Sequence, residues 1–219
     1  MTAPTIEVIG LPPGDLGAPY DRKAALYDRL VRTRLYNRLL WAADPGDYEA
    51  FARRALADGD GPLLDVAAGT AAATAPLYAA AAREVVLVDR SRVMLERASE
   101  RIAALAPSEA PRRLRLVQAD ALALALPPHG FGTVLCMSLF HIVENPGALL
   151  DSLLAQVRPG GRVYLTSLVA ERAVGRRYLS LLHRAGEVAP PRTAAELSSA
   201  LGGVDLDVRG CMAYGVVQA

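Results

Sequence analysis

Two carboxylates at the ends of apolar runs are the residues best placed to do chemistry. Leu63-Leu64 leads into Asp65, and Val66-Ala67-Ala68-Gly69-Thr70-Ala71 then turns sharply on small residues into an alanine-rich stretch. Small side chains let backbone amides approach a ligand, and the helix that follows presents unpaired N–H groups at its start. A second run, Val85-Val86-Leu87-Val88, ends in Asp89. An acid about 20 residues beyond such a turn suits the two hydroxyls of a ribose. The pair therefore predicts a nucleotide site at the carboxyl ends of parallel strands. The three histidines, His129, His141 and His183, are too scattered for a metal cluster. His129 sits in a Pro-Pro-His-Gly turn, whereas His141 follows a strand and, with an ordinary pKa near about 6.5, could accept a proton.

The elements that must position these groups alternate. Strands are expected at 63–67, 85–89, 114–118, 133–137, 162–167, 205–209 and 212–217, and helices at 71–82, 92–106, 146–157, 172–185 and 194–201. Thr193-Ala194-Ala195-Glu196 is a capping box that marks the last helix start. Strands separated by helices imply right-handed crossovers and a mostly parallel sheet covered on both faces. Only Gly210 and Cys211 separate the last two strands, too few for a crossover, so they are expected as an antiparallel hairpin. Upstream, Ala24, Tyr27, Val31, Leu35 and Leu39 recur at helical spacing, and Asp44-Pro45 starts a second helix reaching about Leu56. Residues 1–19, rich in proline and glycine, read as an extended arm.

Composition bounds the rest. The net charge of +1 gives no footprint for nucleic acid. No apolar run approaches the roughly 20 residues of a membrane helix, and the first residues lack the pattern of a secretory signal. The two cysteines, Cys136 and Cys211, lie in apolar runs as expected of buried thiols. A cytoplasmic enzyme is the expectation, with its oligomeric state open.

In order and spacing, these features resemble the class I S-adenosylmethionine-dependent methyltransferases over about residues 20–219. Asp65 through Thr70 is similar to the family's first motif, and Val88-Asp89-Arg90-Ser91 with Met94-Leu95 to its second. Gln118-Ala119-Asp120-Ala121 is similar to the third. Phe131 through Met137 to His141 resembles the fourth strand and the loop beneath the reactive methyl, and Arg158-Pro159-Gly160-Gly161 the turn before the fifth. The resemblance implies a doubly wound, mostly parallel seven-stranded α/β sheet ending in an antiparallel hairpin. It divides residues 20–219 into a helical lid (20–60) and a Rossmann-like sheet domain (61–219).

It also implies S-adenosylmethionine as cofactor, held by Asp65, Ala67, Gly69, Asp89, Arg90, Met94, Asp120, Ala121, Met137 and Tyr27. Asp65 would lie near the cofactor's ammonium, Asp89 on the ribose and Asp120 at the adenine amino group. Tyr20, His141 and His183 would face a small-molecule acceptor, with His141 either a base or a shaper of the loop. Tyr20 and Tyr27 share one helix face, where core contacts are the alternative, and Trp41 is expected to pack.

One departure stands out. The family's first motif usually carries three glycines, and here the positions read Ala67, Gly69 and Ala71. Alanine resists positive φ by roughly 1–2 kcal/mol. The rival readings are a member of the fold that binds without methylating, and a nicotinamide-dependent oxidoreductase. The position of Asp65 just before the turn and the terminal hairpin disfavour the second.

Overall fold

The computed structural model describes residues 5–11, 41, 44–105 and 113–219. The expected helix over 20–40, with Tyr20 and Tyr27, lies outside the described residues.

The strands are β1 (Ile6–Val8), β2 (Leu63–Val66), β3 (Val85–Asp89), β4 (Leu114–Gln118), β5 (Phe131–Met137), β6 (Val157–Leu168), β7 (Leu206–Arg209) and β8 (Met212–Gln218). The helices are α1 (Pro45–Ala57), α2 (Ala75–Ala79), α3 (Arg92–Leu105), α4 (Pro146–Leu154), α5 (Ala173–Arg184) and α6 (Ala194–Ala200). They build one sheet in the order β1-β4-β3-β2-β5-β6-β8-β7. All pairings are parallel except those of β8 with β6 and β7. The terminal hairpin is therefore as expected.

The seven-stranded expectation is corrected to an 8-stranded sheet. Part of the presumed arm pairs in parallel with β4, Ile6 opposite Leu116 and Val8 opposite Gln118. Three residues in an extended chain carry no periodicity to read, yet they satisfy an open edge of amides and carbonyls. Of the span expected as a lid, most of the described part is a helix. The helix at 45–57 belongs to the core, with Ala52 and Ala55 buried beside Leu63 and Leu135. Asp44 caps it by accepting from the Gly46 N–H at 2.8 Å.

Period-two alternation sorts the side chains. Leu64, Val66, Val86, Val88, Val134 and Cys136 face one core with α4 and α6. Leu63, Val85, Leu87, Leu135 and Met137 face the other, with α1, α2 and α3. Asp65 and Asp89 share the parity of this second set, so both turn toward the α1–α3 face. Trp41 is buried in a third cluster, edge-on to Tyr178 at 5.4 Å, and both cysteines are buried free thiols.

The capping box holds: the Thr193 hydroxyl accepts from the Glu196 N–H, and Glu196 accepts from the Thr193 N–H at 2.7 Å. Thr193→Ala is expected to cost about 1 kcal/mol. A thermal melt should show this as a drop of roughly 2–4 °C.

Candidate active site

The chain leaves β4 and crosses β2 to enter β5, so the direction of winding reverses between β2 and β5. Open α/β sheets bind ligands outside the carboxyl ends of the strands at this reversal. The residues that follow β2 are the small-residue turn. Ala67, Gly69 and Ala71 all adopt positive φ, at 59°, 55° and 51°. Such alternation of hand turns successive amides toward one concavity. The backbone thus keeps the three-glycine conformation although two positions carry a methyl, at a cost of roughly 1–2 kcal/mol each. It also shortens the next helix: expected from Ala71, α2 begins only at Ala75.

The turn is tied to the end of β3. Asp89 accepts the Gly69 N–H on Oδ2 at 2.8 Å and the Ser91 N–H on Oδ1 at 2.9 Å. The Ser91 hydroxyl in turn accepts the Met94 N–H at 3.1 Å, which starts α3. Arg90 is exposed, and its carbonyl accepts from Gln118 Nε2 at 3.0 Å. A Cβ built on Gly69 would meet nothing within 4 Å, so open space lies over the turn.

Asp65 is only 3% exposed and accepts from the Tyr78 hydroxyl at 2.7 Å. Burial, reinforced by the charge of Asp89, pushes its carboxyl up to about 7, although the Tyr78 bond opposes the rise. Asp120 Oδ1 accepts from the Leu122 N–H at 2.9 Å, and the Ala121 carbonyl accepts from Ser152 Oγ at 3.0 Å. Met94 and Met137 are buried, Met137 in the α1–α3 core.

His141 is half-buried after β5, with its Nδ1 3.5 Å from the Leu168 N–H. An Nδ1 that accepts leaves the proton on Nε2, so the neutral ring offers a donor there. Burial lowers its pKa to about 4. It lines a small hollow with Phe140, Leu179, Pro190 and Arg192. His183 is not among the lining residues; it is exposed on α5, with Nδ1 3.0 Å from the Val188 carbonyl. No group of three metal-ligating side chains occurs among the described residues.

Four residues not singled out from the sequence join this end of the sheet. Tyr78 holds Asp65, and Arg101 on α3 reaches Thr70 in the turn. Ser138, directly after β5, has φ 63° and donates its N–H to Thr166 Oγ1 at 2.9 Å. Its hydroxyl lies 3.3 Å from that of Tyr48 on α1. Only Ser138 could have been suspected, as a polar residue at a strand end; the other contacts arise between distant segments.

Residues 63–161 match a family model described as a methyltransferase domain. The demethylmenaquinone methyltransferase of Clavibacter sepedonicus is 34% identical over 155 residues, 70% of this chain. The chain spans 58% of that relative's length. Geranyl diphosphate C-methyltransferase from Streptomyces coelicolor, solved with S-adenosyl-L-homocysteine, superposes with a TM-score of 0.60 at 12% identity, over 78% of this chain and 74% of its own. The cyclase SpnF gives a TM-score of 0.65 at 20% identity, over 88% of this chain and 73% of its own. No helix among the described residues is long and apolar enough to cross a membrane. With the turn after β2, the acid ending β3, the reversal between β2 and β5 and the terminal hairpin, the chain has the fold of the class I S-adenosylmethionine-dependent methyltransferases, and its residues 63–161 match a methyltransferase domain.

Proposed function

We propose that the protein transfers a methyl group from S-adenosylmethionine to a small, largely apolar molecule. The observation that carries this reading is the left-handed turn at Ala67, Gly69 and Ala71, bound through the Gly69 amide to the Asp89 carboxylate. The residues suit the cofactor: open space over Gly69 admits a ligand to the backbone. Asp89 is a carboxylate suited to a vicinal diol, and Asp65 is a buried acid suited to an ammonium. Ala67, Arg90, Met94, Asp120, Ala121 and Met137 complete the proposed cofactor side. When bound, the cofactor supplies a methyl on a positively charged sulfur, open to in-line displacement.

The chain's own contribution is then mainly to hold two reactants in line, which can lower a barrier by several kcal/mol. Tyr48 and Ser138 offer hydroxyls at the carboxyl end of β5, and the left-handed Ser138 is the kind of outlier that gathers at active sites. His141 is better suited to donate from Nε2 than to remove a proton, because a base with a pKa far below neutrality transfers poorly. That the relative at 34% identity is a demethylmenaquinone methyltransferase supports a small acceptor.

The test is calorimetric titration with S-adenosylhomocysteine, beside mass spectrometry of small apolar acceptors incubated with S-adenosylmethionine. Binding with a gain of one methyl is expected. Binding without methyl consumption would favour the second reading, a non-methylating member. The strained alanines speak for that reading, and the cyclase SpnF shares the fold. Once turnover is detected, His141→Gln is expected to stay within about tenfold of wild type and to leave the pH profile without a limb near about 6.5. A loss beyond about a hundredfold, together with disappearance of such a limb, would restore His141 as the base.

A further inference from the structure

We propose that Arg101 is a positioning residue of the cofactor turn, holding the Thr70–Ala71 peptide so that Ala71 stays left-handed. This rests on the reading of the turn as the cofactor site. Thr70 stands between two left-handed residues and is 4% exposed. The Arg101 guanidinium, reaching from α3, donates through Nη1 to the Thr70 backbone oxygen and to Thr70 Oγ1, the latter at 2.8 Å. The carbonyl of residue 70 belongs to the peptide plane whose rotation sets φ of residue 71. A donor fixed on that oxygen fixes the plane.

The clamp matters here because the residue it constrains is not glycine. Ala71 at φ 51° is driven toward negative φ by its own Cβ, and the route back is rotation of the 70–71 peptide. That rotation would break the bond from the Ala71 N–H to the Ala68 carbonyl at 3.0 Å and loosen the entry to α2, where the Ala75 N–H is bonded to the Ala71 carbonyl at 2.9 Å. A guanidinium suits the task, since its planar fork reaches a backbone oxygen and a hydroxyl from one nitrogen without losing charge. An arginine on a neighbouring helix thus takes over the conformational selection that glycine provides in a three-glycine turn.

The experiment compares wild type, Arg101→Met, Ala71→Gly and the double variant. Two measurements are made: calorimetric titration with S-adenosylhomocysteine, and amide exchange at Ala71 and Ala75 without ligand. Methionine keeps helix propensity and much of the arginine stem's packing. Arg101→Met is expected to bind about tenfold more weakly and to exchange faster at both amides, with the rest of α3 unchanged. Whatever Ala71→Gly does alone, Arg101→Met should cost far less affinity and protection in the Ala71→Gly background than in wild type. Rescue by glycine is the signature, because a residue that touched the ligand or merely packed α3 would not be replaced by a change at position 71. Unchanged exchange in Arg101→Met, or loss without rescue, overturns the proposal. Failure of wild type to bind S-adenosylhomocysteine would count against the cofactor reading alone, since the exchange comparison tests the clamp without ligand.

Discussion

Asp89→Ala is expected to weaken S-adenosylhomocysteine binding by roughly ten- to several-hundredfold. Hydrogen bonds to a charged group contribute about 1.5–3 kcal/mol each, and water refilling the gap recovers part of the two bonds lost to a ribose. The structure adds a second consequence. The same carboxylate accepts the amides of Gly69 and Ser91, so its removal also frees two ends of the site. The ligand-free melting temperature should therefore fall by about 3–8 °C, the equivalent of roughly 1–3 kcal/mol. From the sequence, a side chain leaving a strand end would be expected to matter little without ligand. Asp89→Asn keeps one accepting oxygen but sets its NH2 against one of the amides, and should fall between the two on both measurements. Calorimetric titration beside thermal melts decides the matter. Equal binding by wild type and Asp89→Ala would place the cofactor elsewhere, and an unmoved melting temperature would show that the two amide bonds contribute little.

The second large effect is a pH dependence from Asp65. Its carboxyl is raised from 3.8 to about 7, chiefly by burial. Between these values the folded chain keeps a proton that the unfolded chain has released. Stability contributed by this group is thus full below about pH 4, declines as pH rises to 7, and levels off above. The span from 3.8 to about 7 corresponds to roughly 4 kcal/mol.

His141 works in the opposite sense. Lowered from 6.5 to about 4, it costs stability as pH falls through that interval, because the unfolded histidine gains a proton first. The wild-type profile is therefore flattened between pH 4 and 6.5, and the Asp65 signal is read from its difference with Asp65→Asn. Asparagine does not titrate and still accepts from Tyr78. The variant should be more stable than wild type at pH 8 by a few kcal/mol, and the advantage should vanish by pH 4. Parallel profiles of the two proteins across pH 4–8 would show that Asp65 is not held protonated by the fold.

Local pattern alone determined a large share of this protein. Alternating apolar runs and helical stretches specified the parallel sheet, and β3 and β4 fall on their expected residues, because strands buried in a parallel sheet carry apolar runs, Val85 to Val88 in β3 and Leu116-Val117 in β4. A two-residue connection forced the antiparallel hairpin, and the acids ending β2 and β3 marked the nucleotide end of the sheet. The departures at Ala67 and Ala71 were also legible, since a missing glycine is visible in any sequence.

What those alanines do was not legible. Their sequence predicts a longer helix from Ala71, whereas in the structure the turn is left-handed, bonded to Asp89 and reached by Arg101 of α3, and the helix starts at Ala75. The edge strand at Ile6–Val8 likewise exists because β4 offers it unpaired backbone, a partner more than a hundred residues away. The partners of the site residues belong to the same class. Tyr78 reaches Asp65, Arg101 reaches Thr70 and Tyr48 reaches Ser138 through contacts that close only when helices settle on the sheet. A carboxylate's pKa, a histidine's tautomer and a peptide's handedness are set by such neighbours, so the residue types at the site were readable in the chain and their physical states were decided by the tertiary structure.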